Sequence, residues 1–266
     1  MLPTFIGIGA QRAGTTWIYN CLKQHPDIFM SEPKELHFFY VNYYHGIKWY
    51  EDHFNSCGNA KAIGEITPDY MYRETAMANM AKHLPNAKLF MVLRNPIERT
   101  ISAYRLFNKK FRNMSFHDAL LNDPVLIEQS RYINHIKMVY KYYDKSQIKI
   151  LIYDDLENDP LGFIRELYNY LDVDTTFEPE GINVRYNRII YPKMQELLIK
   201  YKLEWLIETV KALPLGKWIR KKHEKQGIGK GSDILESDIV KLKMTFKSDI
   251  HALSKMIDID LSNWYS

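Results

Sequence analysis

Gly9 to Thr16 read G-A-Q-R-A-G-T-T, the spacing of a phosphate-binding loop, G-x-x-x-x-G-K-[ST], with Thr15 in the place of the lysine. Behind an apolar strand and ahead of a helix, such a turn gathers backbone N–H groups and the positive end of a helix dipole around one point, where an anion can sit. Gly9 and Gly14 leave room for the turn and for the anion's approach. Kinases and nucleotide triphosphatases use the lysine on the terminal phosphates and the next hydroxyl on Mg²⁺. The nearest cation along this loop is Arg12 instead. Farther on, Arg94 closes an apolar run and Ser102 follows about two helical turns later, on a face that can meet it. Glu35 and His37, in "SEPKELHFFY", are two groups able to take a proton. "IKILIYDDL", residues 148 to 156, ends in Asp154-Asp155, an acidic pair that a Mg²⁺-dependent NTPase could use.

These groups need a scaffold, and the chain supplies short β-rich runs alternating with amphipathic helices, the pattern of a parallel sheet covered by helices. Strands are expected at Phe5–Gly9, Ala60–Ile66, Lys88–Arg94 and Ile148–Tyr153. Helices are expected at Thr15–Gln24, Pro68–Leu84, Pro96–Lys109, Ser130–Tyr143 and Pro160–Leu171. Asn95-Pro96-Ile97-Glu98 is a start signal, with an Asn cap, Pro at the first helical position and a Glu expected to reach back. Past about residue 180 the strand signals fade. A helical stripe of Met194, Leu197, Leu198, Tyr201 and Trp205, a Gly-punctuated loop at residues 221 to 233 and a last helix near Leu235–Met256 follow. The expected fold is therefore α/β, a P-loop-like parallel sheet flanked by helices with a helical C-terminal part. We expect one domain over residues 1–266, with 1–180 as its core and 181–266 as its helical part.

The totals agree with that expectation. A chain of 266 residues, 46% of them apolar, can bury a full core. No stretch approaches the roughly 18 apolar residues of a membrane span, and a candidate strand begins soon after Met1, so a cytoplasmic location is expected. Cys21 and Cys57 form neither a disulfide framework nor a metal pattern, which argues against redox chemistry. The net charge of +4 is mild, but Lys and Arg crowd the span from Lys193 to Lys230. That span is read as solvated helix faces or as a rim that draws in a polyanion.

Residues 7 to 39 as a whole resemble the PAPS-dependent sulfotransferase family. Its 5′-phosphosulfate loop, K-x-G-T-T-W, is matched by Arg12-Ala13-Gly14-Thr15-Thr16-Trp17, with Arg for the usual Lys. "VLRNPIERTISAY" is similar to the family's 3′-phosphate motif, which implies that Arg94 and Ser102 hold a phosphate that ATP lacks. Glu35-Leu36-His37-Phe38-Phe39 resembles the E-x-H-F-F stretch of sulfotransferases acting on heparan-type sugars. There the Glu is the base, and the resemblance implies that role for Glu35, with His37 second. "GEITPDY" resembles G-E-x-T-P-x-Y, with Ile66 where some sugar sulfotransferases carry Lys; "QSRYINH" and "DIDLSNW" also look like family stretches. Arg185, Arg188 and Lys230 are weaker candidates for the 3′-phosphate.

The resemblance implies 3′-phosphoadenosine 5′-phosphosulfate (PAPS) as donor and adenosine 3′,5′-bisphosphate (PAP) as product, with no metal and no nucleic acid. Sulfuryl transfer would go in line to a saccharide or a small alcohol, Arg12 and the Thr hydroxyls stabilising the leaving group. The aromatics Tyr40, Tyr43, Tyr44, Trp49, Tyr70, Tyr72 and Tyr132 would either pack the core or line a sugar cleft. Two other readings stand beside this one: a P-loop kinase or NTPase, and a non-catalytic module that recognises sulfate or phosphate groups.

Overall fold

The computed structural model describes residues 1–106, 114–182 and 234–265. Five strands form one sheet: β1 (Phe5–Gly9), β2 (Ile28–Met30), β3 (Ala62–Ile66), β4 (Lys88–Leu93) and β5 (Ile148–Ile152), in the order β2-β3-β1-β4-β5. Every pairing is parallel. All residues of β1 and β3 are buried, as expected of strands covered on both faces. Glycine within β1 is required by its neighbours, because a Cβ on Gly9 would lie 2.0 Å from Met71 Sδ.

Around the sheet run α1 (Thr15–Gln24), α2 (Gly46–Asp52), α3 (Glu74–His83), α4 (Pro96–Leu106), α5 (Phe116–Asn122), α6 (Val125–Glu128), α7 (Tyr132–Val139), α8 (Tyr153–Asn158), α9 (Pro160–Tyr170) and α10 (Glu236–Ile257). The chain leaving β1 crosses toward β2 and β3, whereas the chain leaving β4 goes to β5 on the other side. The carboxyl ends of β1 and β4 thus flank a topological switch point, the crevice where open α/β sheets bind ligands.

Several expected elements are shorter or divided. Pro68–Leu84 is a 3₁₀ turn, Tyr70–Tyr72, followed by α3. The turn lets both tyrosine hydroxyls be used elsewhere, Tyr70 on Glu65 and Tyr72 on the Gln11 amide. Ser130–Tyr143 contracts to α7, because Ser130 is drawn onto the buried Arg99 at 2.5 Å. The Asn95 cap forms, with Oδ1 accepting from Ile97 N at 3.0 Å, but Glu98 pairs with Arg94 at 2.8 Å instead of reaching back. Strand β2, three residues long, was too short for any alternation to show in the sequence. Residues 107–109 of the third expected helix, the 194–205 stripe, the 221–233 loop, the Lys193–Lys230 basic span, Arg185, Arg188 and Lys230 lie outside the described residues.

Helix α10 buries Leu242, Phe246, Ile250 and Leu253, a stripe three to four residues apart. Asp238 at its start accepts from His117 at 2.7 Å, and Arg131 lies 3.5 Å from Asp249. Beyond it, Trp264 is buried at 2% exposure; its indole N–H donates to Asp154 Oδ2 at 3.0 Å, and its carbonyl accepts from Asn95. No helix among the described residues is long and apolar enough to cross a membrane.

Candidate active site

The Gly9–Thr16 loop leaves β1 at the switch point and runs into α1, whose N-cap is Gly14 at φ 78°. That backbone suits glycine, and a Cβ there would meet Leu156 Cδ2 at 2.8 Å. Ala13 is fully buried, Thr15 nearly so, and Thr16 is exposed. The amides of Ala10 and Gln11 are taken by Val92 O and Tyr72 Oη. Those at the head of α1 have no acceptor within the helix and, with the helix dipole, suit an anion. Trp17 is buried, its ring N–H on the Ile182 carbonyl at 3.0 Å and its edge against Phe163, so it packs the loop from behind.

Arg12 sits in the left-handed region at φ 72° and joins the loop to the second motif. Its Nε donates to Ser102 Oγ at 2.9 Å, while Arg94 Nη1 donates to the Arg12 carbonyl at 3.3 Å. Arg94 stands just past β4 over the Tyr153 ring at 4.5 Å. Burial, then the charges of Arg94 and Arg99, hold the Arg12 guanidinium below its ordinary value. Arg99 itself donates from all three nitrogens, to Ser130, Gln129 and the Leu126 carbonyl. Two roles of "QSRYINH" thereby become visible: it seats Arg99, and Tyr132 Oη holds the Arg94 carbonyl at 2.9 Å. The structure thus brings Arg12, Arg94 and Ser102 together from segments about 90 residues apart in sequence.

Glu35 and His37 lie on the segment after β2. Lys34 Nζ donates to Glu35 Oε1 at 2.8 Å and to Thr15 Oγ1 at 3.2 Å, which ties the carboxylate to the head of α1. His37 Nε2 is 3.5 Å from the other Glu35 oxygen, and its Nδ1 meets Tyr40 Oη at 2.8 Å. Tyr40 donates in turn to Asp69 at 3.1 Å, and Asp69 accepts from the Gln11 side chain at 2.7 Å. Burial and the Asp69 charge push the Tyr40 phenol up to about 12, so it stays a donor at neutral pH.

"GEITPDY" holds this segment in place. Glu65, fully buried, accepts from Tyr50 at 2.7 Å, Tyr70 at 3.0 Å, Thr67 at 2.7 Å and the Leu36 amide at 3.4 Å. Thr67 Oγ1 accepts from the His37 amide and Tyr70 Oη from the Phe38 amide. Three consecutive amides beside Glu35 are thereby pinned by three side chains. Sequence reasoning missed Lys34, Glu65 and Asp69; the adjacency of Lys34 to Glu35 and the charged residues inside an apolar strand-and-turn were the available signals. Of the aromatics considered for a sugar cleft, Tyr70 and Tyr132 are buried structural donors, whereas Tyr44 is 78% exposed.

Asp154, the acid an NTPase could use, follows β5 at the start of α8. Its Oδ2 is occupied by the Asn263 and Trp264 donors. Asp154 thereby anchors the C-terminal residues.

The family described as "Sulfotransferase domain" matches this chain over residues 3–233. Among curated proteins, the membrane-associated sulfotransferase kil1 of Dictyostelium discoideum is 42% identical over 106 residues, covering 39% of this chain and 22% of that protein. The bifunctional heparan sulfate N-deacetylase/N-sulfotransferase 3 of Homo sapiens is 29% identical over 195 residues, covering 65% of this chain and 22% of that protein. The chain thus spans about a fifth of the length of these two relatives. Among solved structures, a sulfotransferase from Alicyclobacillus acidocaldarius shares the fold, with a TM-score of 0.72 at 21% identity over 100% of both chains.

Proposed function

Because this chain belongs to the sulfotransferase domain family, we propose that it moves a sulfuryl group from PAPS to a hydroxyl or amine of a carbohydrate acceptor, with Glu35 as general base. The observation that carries the reading is the Arg12 Nε–Ser102 Oγ hydrogen bond at 2.9 Å, which fuses the anion-binding loop with the Arg94 and Ser102 pair. Two anion sites side by side suit a nucleotide phosphorylated at both ends. The cradle fits such a ligand: the first amides of α1 have no acceptor within the helix, and a buried guanidinium already repelled by its neighbours gains from an anion. The donor supplies the sulfuryl group and leaves as PAP. The amides at the head of α1 and the Thr15 and Thr16 hydroxyls would hold the 5′ end and stabilise charge on the leaving oxygen. Arg94 and Ser102 would take the 3′-phosphate. Glu35 would accept the acceptor's proton in line with the departing bond, His37 and Lys34 fixing its carboxylate. The carbohydrate acceptor is carried by likeness to the heparan sulfate enzyme and by the E-x-H-F-F stretch.

Thermal-shift titration tests the reading: PAP should stabilise the protein more than ATP with Mg²⁺ does. The reverse order would return the site to a kinase or NTPase. Glu35→Gln should retain donor affinity and lose about 10² to 10⁴ in turnover with PAPS and a saccharide panel. Such a loss in His37→Asn, with Glu35→Gln near wild type, would transfer the base to His37.

A further inference from the structure

The loop departs from two patterns at once: Thr15 replaces the P-loop lysine, and Arg12 replaces the lysine of K-x-G-T-T-W. The structure shows where cations stand instead. Lys34, its side chain 17% exposed, enters from the segment after β2 and places Nζ 3.2 Å from Thr15 Oγ1, at the first residue of α1. An ammonium group therefore lies within hydrogen-bond reach of the very position that lost its lysine. Arg12, the loop's own cation, reaches across to α4. Its Nε is bonded to Ser102 on α4, and its carbonyl is held by Arg94. Among the described residues the other nitrogens of its guanidinium are not hydrogen-bonded, which leaves a planar fork of donors next to Arg94 and Ser102.

Resting on the sulfotransferase reading, we propose that the two ends of the donor are served by exchanged cations: Lys34 holds the 5′-phosphosulfate at the head of α1, and Arg12 joins Arg94 and Ser102 on the 3′-phosphate. The chemistry suits each residue. A flexible point charge can follow the sulfuryl group while also touching the base Glu35, whereas a planar fork grips a fixed phosphate with two parallel bonds. Lys34 also couples donor and base, since the same ammonium contacts the Glu35 carboxylate.

A ligand-deletion series tests the division without any acceptor. Three probes are titrated by calorimetry: PAP carries both phosphates, adenosine 5′-phosphosulfate only the 5′ end, and adenosine 3′-monophosphate only the 3′ end. Lys34→Met should weaken PAP and adenosine 5′-phosphosulfate by about tenfold or more and leave adenosine 3′-monophosphate unchanged. Arg12→Met should weaken PAP and adenosine 3′-monophosphate by a similar factor and leave adenosine 5′-phosphosulfate unchanged. Lys34→Arg, which keeps the charge, should retain most of the 5′ affinity. The proposal is overturned if Lys34→Met binds adenosine 5′-phosphosulfate like wild type, if it weakens all three probes equally, or if Arg12→Met loses the 5′ probe as much as PAP. Wild-type protein with no affinity for PAP would sink the sulfotransferase reading and the division together; failure confined to the variants would sink the division alone.

Discussion

A buried carboxylate with four donors aimed at it is a costly thing to keep, and Glu65 shows what it is kept for. Its hydrogen bonds run to Tyr50, Tyr70, Thr67 and the Leu36 amide, so the charge fixes the backbone next to Glu35. Burial raises its carboxyl above the ordinary range, the donors from Thr67, Tyr50 and Tyr70 pulling it only part of the way back. A carboxyl raised in the fold binds its proton more tightly than in the unfolded chain. Its contribution to stability is therefore greatest below about pH 4.3, the unfolded glutamate value, and declines as pH rises through the folded value. Glu65→Gln cannot titrate, so the stability of wild type relative to this variant should fall with rising pH from that point, read by urea denaturation at a series of pH values. Glu65→Ala leaves several buried donors unpaired and should cost about 3 kcal/mol or more.

At the scale of elements, the turn from β1 into α1 concentrates backbone that only a few residues tolerate. Gly14 at φ 78° and Arg12 at φ 72° stand two residues apart, and His37, across from them, is at φ 48°. Non-glycine residues held there signal a conformation imposed by surroundings, here by the hydrogen bonds to Ser102, Arg94, Thr67 and Tyr40. Gly14→Ala adds about 1–2 kcal/mol of left-handed strain, and its methyl group would press on Leu156 and Tyr153. The expected outcome is a lowered melting temperature with PAP affinity lost out of proportion, because the same turn aims the amides. A variant that melts lower yet binds PAP like wild type would show that the turn's shape is not what holds the anion.

Across the whole molecule, residues far apart in sequence are locked around the switch point. Trp264 fills a buried position, donates to Asp154 and receives Asn95, the cap of the helix that carries Ser102. Trp264→Ala should cost about 3–5 kcal/mol in denaturant unfolding, through the cavity and the loss of one of the two donors to Asp154. Asp154→Asn, which keeps an acceptor oxygen for the indole, should cost less. If Trp264→Ala were as stable as wild type, the C-terminal residues would be no part of the cooperative core.

The sequence by itself determined the sheet-and-helix class and the candidate loop. Strands β1 and β4 are long apolar runs, and a glycine-bearing turn between strand and helix has few other uses. It also held Arg94, Ser102, Glu35 and His37 as candidates, since motif spacing is a local property. What the chain could not show alone was direction. Whether Arg12 points toward the helix head or toward Ser102, and whether Lys34 reaches Thr15, depend on how β1, β2 and α4 are placed beside one another. The reason is physical: local pattern fixes periodicity and capping within a few residues, whereas contacts such as Arg12 to Ser102 and Trp264 to Asp154 exist only once the parallel sheet has brought distant segments within hydrogen-bond range.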